Sequence, residues 1–273
     1  MKTKIAVVAL IAAVFFAGCS GKREQTGLTL KPGVLMIGMN LGYPPMEYLG
    51  EDGVTPAGFS VEMGKIVAER LGLQPEFINT AWQGIFDGLN ANRWDVIISS
   101  VTVTPERILA HNFSKPYIAN TLAMVARKDS SITARNPREA GGLDVAFQGG
   151  TTADFFMERL AAEEGLRYNP YRYANMPTAF TDLELGRVHT IVTDILVAYD
   201  YISIPDSPFE IIWQSEGDDP EIFAATLKLG NDALTAAIDR VIEEMFNDGT
   251  MLRLSYEIFG EGMDFVTAAR QTW

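Results

Sequence analysis

The chain has 273 residues, 47% of them hydrophobic, and 22 Lys and Arg stand against 35 Asp and Glu for a formal net charge of −13. That length and apolar content allow two ordinary domains or one large one, with a packed core. So acidic a surface excludes nucleic acid as an expected partner, because phosphate binding calls for clustered Lys and Arg.

The N-terminus opens with Lys2 and Lys4 and continues into an unbroken apolar run, Ile5 to Phe16. This run is shorter than the roughly 20 residues a spanning helix needs, so it reads as a secretory signal segment. Cys19 is the single cysteine, which rules out an intramolecular disulfide. Lying directly after Phe16-Ala17-Gly18, it resembles a bacterial lipobox. The expectation is a lipoprotein signal peptide over 1–19 with Cys19 lipidated, and a polar tether over 20–27.

VLMIGM (34–39) then reads as a strand, followed by the Gly- and Pro-rich loop NLGYPPMEYLGEDG. Phe59, Met63, Ile66, Val67 and Leu71 recur at helical spacing, which predicts an amphipathic helix over 59–71 stopped by Gly72. PEFIN is a second strand, WQGIFDGLNANR a short helix, and WDVIISS a third strand apolar enough to be buried. The rhythm restarts with LDVAFQ (143–148) as a strand, a helix over 151–165 opened by GGTT, and YRY as another strand. MPTAFTDLELG and DILVAYDYI read as helices around the strand VHTIVT. EIIWQ and IFAATL (222–227) read as strands, and Asn231 as the cap of a helix that Gly249 ends. This alternation marks an α/β chain, in two lobes, with no internal sequence repeat. The tail after Gly260 carries no assignment.

VTVTPER raises a question of charge. Arg107 falls three residues after Thr104, at the start of a helix, where partial positive charge and free N–H groups already lie. A cation there is unfavourable unless an anion arrives, and a guanidinium can grip a carboxylate by two parallel hydrogen bonds. Taken alone, the residue fits a surface salt bridge as well. Catalytic hardware is thin: His111 and His189 have no metal-like spacing, and no nucleophile elbow, P-loop or H-E-x-x-H occurs. His111 reads as a surface or packed residue. No metal and no cofactor are expected.

The stretches GYPPMEY, PAGFSVEMGKIVAERLG, WQGIFDGLNANRWDVIISSVTVTPER, NFSKPY, VAFQGGTT, LELGRVHTIVTD and FNDGTMLRLSYEIFG occur in that order between Leu35 and Gly260. Their order and spacing resemble the periplasmic amino-acid-binding proteins of ABC transporters, of the polar amino-acid type. The resemblance implies an α/β, two-lobed periplasmic-binding-protein fold with two hinge crossings, the type II or Venus-flytrap form. Lobe 1 is then 28–120 with 226–273, lobe 2 is 121–225, and the crossings fall near ANTLA and EIFAA. Arg107 matches the family's carboxylate grip, with Ser100 and Thr102 offering backbone and hydroxyl groups. Thr151 and Thr152, after Gly149-Gly150 at a helix start, suit an anion. Asp194 matches the receiver of the α-ammonium, with an ordinary helix N-cap as its plainer reading.

By the same resemblance Tyr43 and Trp82 flank the ligand side chain, and Asn40, Ser99, Gln148 and Thr193 tune its choice. Members that bind cationic amino acids usually carry Asp where Asn40 stands. A neutral amide cannot offset the desolvation of a buried guanidinium or ammonium, so an uncharged polar amino acid is the expected ligand. The implied partners are a free amino acid, an ABC permease, and the membrane through the lipid anchor. A monomer at the periplasmic or extracellular face, without enzymatic activity, completes the expectation. The alternative is an enzyme resembling the cyclohexadienyl dehydratases, which keep the carboxylate clamp on this scaffold and add acid/base groups.

Overall fold

The computed structural model describes residues 27–216 and 221–273; the expected signal peptide, Cys19 and the tether before Gly27 lie outside the described residues. Strand β1 (Val34–Met39) leads into the stretch expected to be plain loop. That stretch instead forms three short antiparallel strands, β2 (Gly42–Tyr43), β3 (Glu47–Leu49) and β4 (Pro56–Ala57). Pairing gives buried backbone groups partners that a loop would lack. Helix α1 (Phe59–Arg70) buries Phe59, Met63 and Val67, and the chain leaves it through Gly72 in the left-handed region at φ 71°. Next come β5 (Gln74–Asn79), a tight helical turn at Trp82–Gly84, α2 (Ile85–Asn90), β6 (Val96–Ile97), α3 (Pro105–Ala110) and β7 (His111–Phe113). WDVIISS therefore contributes only two paired strand residues, and Ser100, at φ 50°, turns the chain out of line.

A connecting strand β8 (Ile118–Asn120) precedes β9 (Leu122–Arg127), β10 (Asp144–Gln148), α4 (Thr152–Glu163), β11 (Asn169–Tyr173), α5 (Met176–Glu184), β12 (Thr190–Asp194), α6 (Ile195–Ile202) and β13 (Phe209–Gln214). The run IFAATL divides between β14 (Glu221–Phe223) and β15 (Thr226–Lys228), because its two ends join different sheets. Helices α7 (Asp232–Asn247), α8 (Thr250–Phe259) and α9 (Thr267–Arg270) follow. Asn231 occupies the N-cap position of α7 but makes no side-chain cap bond; its ψ of 58° is not the extended conformation that aims a cap at the helix.

Two five-stranded sheets organise the molecule, in the orders β5-β1-β6-β15-β7 and β11-β10-β12-β9-β13. Each has three parallel strands, with the first in the middle, and then strands that run antiparallel. The architecture is thus repeated although the sequence is not. This is the two-lobed α/β arrangement. Between the sheets β8 pairs antiparallel with β14, placing Asn120 opposite Glu221. The tail that sequence left unassigned packs beside this connection. Ala119 N–H donates to the Phe265 carbonyl at 2.9 Å, Val266 and Ala269 are buried, and Trp273 Nε1–H donates to the Pro116 carbonyl at 3.1 Å.

Close packing at Trp94 explains two glycines. A Cβ on Gly38 would sit 2.7 Å from the indole, and one on Gly88, inside α2, only 2.0 Å away. Gly88→Ala is therefore expected to destabilise the fold by about 1–3 kcal/mol, despite alanine's better helix propensity. A denaturant midpoint equal to or above that of the unmodified protein would contradict this packing.

Candidate functional site

The parallel strands of both sheets end at the same place. Asn40 follows β1, Trp82 follows β5, Ser99 and Ser100 follow β6, Gln148 ends β10, and Asp194 ends β12. In open α/β sheets the carboxyl ends of strands form the natural crevice, because the loops leave there and no helix covers them. Here two such edges face one another. Asn40, Tyr43, Trp82, Ser99, Ser100, Thr102, Arg107, Gln148, Thr151, Thr152 and Asp194 all line one cleft of about 320 Å³, with Glu47 as a twelfth wall. Thr193 stands just behind, its Oγ1 3.4 Å from the Tyr43 hydroxyl.

Arg107 lies on α3, a helix of six residues whose N-cap, Thr104, accepts from the Arg107 N–H at 3.3 Å. Its Nη1 donates to the Thr102 carbonyl at 2.9 Å. The guanidinium carbon lies 5.6 Å from the Trp82 ring centre and 5.3 Å from that of Phe86, within cation–π range. Burial lowers its pKa, while Glu221, Asp194 and Glu106 oppose that shift. With one of five N–H donors on Thr102, the fork retains capacity for an anion.

Asp194 is the opposite pole, 6% exposed. It stands at the N-cap position of α6 yet makes no side-chain cap bond. Its carboxylate instead accepts from the Tyr43 hydroxyl and the Asn120 amide. Burial pushes its pKa upward, Glu221 adds repulsion, and the Tyr43, Asn120 and Arg107 contacts pull it back. Burial and the neighbouring Asp194 likewise hold the Tyr43 hydroxyl well above its ordinary range.

Glu47 is the acid that the sequence reading did not assign to the site. It is 1% exposed, and its two oxygens accept from Ser99 Oγ at 3.1 Å and Ser100 Oγ at 3.0 Å. Burial drives its pKa up to about 8, against the pull of those hydroxyls. Glu47 faces Tyr43 across the β2–β3 pair, so the two share a side of that ribbon, a pairing with no signal in the sequence.

Polar contacts join the two sheets' edges. Gln148 Nε2 donates to Asn40 Oδ1 at 2.8 Å, and Trp82 Nε1 donates to the Gly150 carbonyl at 3.0 Å. Gln83 Nε2 reaches the Gly149 carbonyl at 3.4 Å. Thr102 Oγ1 donates to Glu221 on β14 at 2.7 Å. Phe86, Asn120 and Glu221 thus belong to the site's surroundings without a sequence pattern that announces them. His111 is buried and stacked on Phe86 at 5.1 Å, not among the lining residues. Among the described residues no three His, Cys, Asp or Glu side chains gather as a metal ion needs.

Comparison with known proteins places this geometry. The family described as bacterial extracellular solute-binding proteins, family 3, matches residues 35–261. The chain is 29% identical to the L-cystine-binding protein TcyJ of Escherichia coli (strain K12) over 259 residues, covering 93% of this chain and 95% of that protein. It is also similar to an ancestral arginine-binding protein solved with glutamine, at 30% identity and a TM-score of 0.77, over 85% of this chain and 100% of the other. The same ancestral protein solved with arginine gives 29% identity and a TM-score of 0.78, over 84% and 99%.

A carboxyl whose proton is held to about pH 8 when folded, but only to about its ordinary 4.5 when unfolded, destabilises the fold as pH climbs between those values. Glu47 therefore costs up to about 1.4 kcal/mol per pH unit across that window. Thermal unfolding without ligand should show a midpoint that falls from pH 5 to pH 8. Glu47→Gln should flatten the fall. Equal slopes in the two proteins would remove Glu47 as its source.

Proposed function

This chain belongs to the bacterial extracellular solute-binding proteins, family 3, and we propose that it captures a free amino acid between its two lobes and delivers it to an ABC permease. One observation carries the reading. Arg107, on a segment that follows β6, and Asp194, at the end of β12, line a single small cleft between two sheets. A guanidinium and a carboxylate so disposed suit a zwitterion. Arg107, with Thr102, Thr151 and Thr152, takes the α-carboxylate. Asp194, helped by Ser100, takes the α-ammonium, which displaces or shares the Tyr43 hydrogen bond. Tyr43 and Trp82 flank the side chain, and Asn40, Ser99, Gln148 and Thr193 shape its pocket.

Lobe 1, residues 28–120 and 226–273, and lobe 2, residues 121–225, move about the paired strands β8 and β14. A ligand shifts such an equilibrium only by its different affinity for the two states. Parting the lobes separates Arg107 from Asp194, so half of the ligand's polar contacts exist only after closure. The closed surface is what the permease reads. The names of the cystine- and arginine-binding relatives, and the glutamine-bound ancestral protein, support an amino acid as the ligand class. They also support binding rather than catalysis.

An uncharged polar side chain is the preferred choice. The Asn40–Gln148 amide pair is neutral, and Glu47 keeps its proton at neutral pH. Lipidation of Cys19, inferred from sequence, keeps the protein at the membrane beside its permease.

Arg107→Ala is expected to weaken amino-acid binding by at least about 100-fold, as loss of a two-bond charged grip implies, with the circular dichroism spectrum unchanged. Calorimetry of both proteins against a panel of twenty amino acids checks this and the ligand together. Glutamine-, asparagine- or serine-like ligands should bind best, and an unaffected variant or a preference for arginine or lysine at neutral pH would refute the corresponding assignment. For the anchor, Cys19→Ser should move the protein from the membrane fraction to the soluble fraction; retention in the membrane would exclude a lipid on Cys19.

A further inference from the structure

The cleft holds more acidic side chains than a simple zwitterion needs. Arg107 is the only cation among its lining residues, while Glu47 and Asp194 both line it and Glu221 stands close by on β14. Asp194 already answers the ligand's α-ammonium in the reading above. Glu47 is then left over, buried deeper than Asp194 and hydrogen-bonded only to serine hydroxyls.

The groups around Glu47 come from every side and none is a cation. Ser60 of α1, Ser99 and Ser100 after β6, Tyr117 ahead of β8, Tyr43 on β2 and Asp194 at the end of β12 surround it. The Ser60 and Tyr117 hydroxyls are themselves buried without a hydrogen-bond partner. An ionised carboxylate offers about four acceptor sites, and the two serines use two of them.

Electrostatics then ties this acid to the ligand. In a closed, dry cleft, an ionised Glu47 beside an uncharged side chain is an uncompensated buried charge. A protonated Glu47 beside a cationic side chain leaves the ligand's charge uncompensated instead. Each mismatch is penalised, so the two charges must vary together. Resting on the amino-acid reading above, we infer that Glu47 sets the side-chain class the cleft accepts. With its proton it admits an uncharged polar side chain, and without it a cationic one. Asn40 and Gln148, bonded to each other across the lobes, supply no alternative charge.

Binding of a cationic ligand must then expel the Glu47 proton, and binding of a neutral ligand must keep it. Asp194 meets the same α-ammonium in both cases, so its contribution cancels in the ratio of the two affinities. Calorimetry with arginine and with glutamine, run from pH 6 to pH 9 in two buffers of different ionisation heat, reads this directly. The arginine-to-glutamine affinity ratio is expected to climb about tenfold per pH unit across the whole range, through rising arginine affinity below pH 8 and falling glutamine affinity above it. Arginine should release close to one more proton than glutamine at pH 6.5. In Glu47→Gln the ratio should lose its pH dependence, and Glu47→Asp should restore a slope. A flat ratio in the unmodified protein, or a slope that survives in Glu47→Gln, would overturn the inference. Uniform weakening of arginine, glutamine and glycine in Glu47→Gln with the wild-type slope intact would also overturn it, leaving Glu47 as support for the Ser99–Ser100 turn. If the unmodified protein binds no amino acid at any pH, the amino-acid reading itself fails, and this inference with it.

Discussion

The molecule is built around a charge separation that no single sheet supplies. Arg107 comes from the helix that follows one sheet's edge and Asp194 from the edge of the other; Asp194 is buried and Arg107 half-buried. Neither is paired with the other in a direct salt bridge. A half-buried cation and a buried anion held near each other but apart form a poor internal ion pair and a good frame for a dipolar guest. The parallel strands explain why the frame lies there. Their carboxyl ends converge on the cleft, so residues far apart in the chain arrive together on rigid supports.

Hydrogen bonds cross the cleft directly, from Asn40 to Gln148, from Trp82 to Gly150 and from Tyr43 to the Asp194 carboxylate. Such bonds contribute about 1 kcal/mol each. Three carboxyls, of Glu47, Asp194 and Glu221, gather at the same cleft, and Ser100 beside them has a left-handed backbone of the kind that costs about 1–3 kcal/mol.

Local pattern made much of the fold legible. The spacing of Phe59, Met63 and Val67 is a helix face, and Gly72 stops it for the reason any left-handed residue does. Where the structure departs from the local pattern, the cause is tertiary. WDVIISS has the composition of a long buried strand, but its neighbours pair with only Val96 and Ile97, and the rest turns to form the cleft floor. IFAATL is apolar but for Thr226, so nothing in it reveals that β14 joins β8 while β15 joins another sheet. The strands at Gly42–Tyr43, Glu47–Leu49 and Pro56–Ala57 are too short to leave a period.

By itself the sequence determined which residues could do polar work: an arginine after a helix-starting threonine, an aspartate closing an apolar run, and paired threonines after paired glycines. Local chemistry nominates these residues, and the resemblance to amino-acid-binding proteins is what gives Arg107 and Asp194 their expected roles. What only the tertiary structure decided is which of the chain's many carboxylates is buried in the cleft. Glu47, Asn120, Glu221 and Phe86 are ordinary residues in their own stretches. They acquire their roles from partners 21 to 119 positions away, because burial and the lack of a counter-charge belong to the packed chain and not to any segment of it.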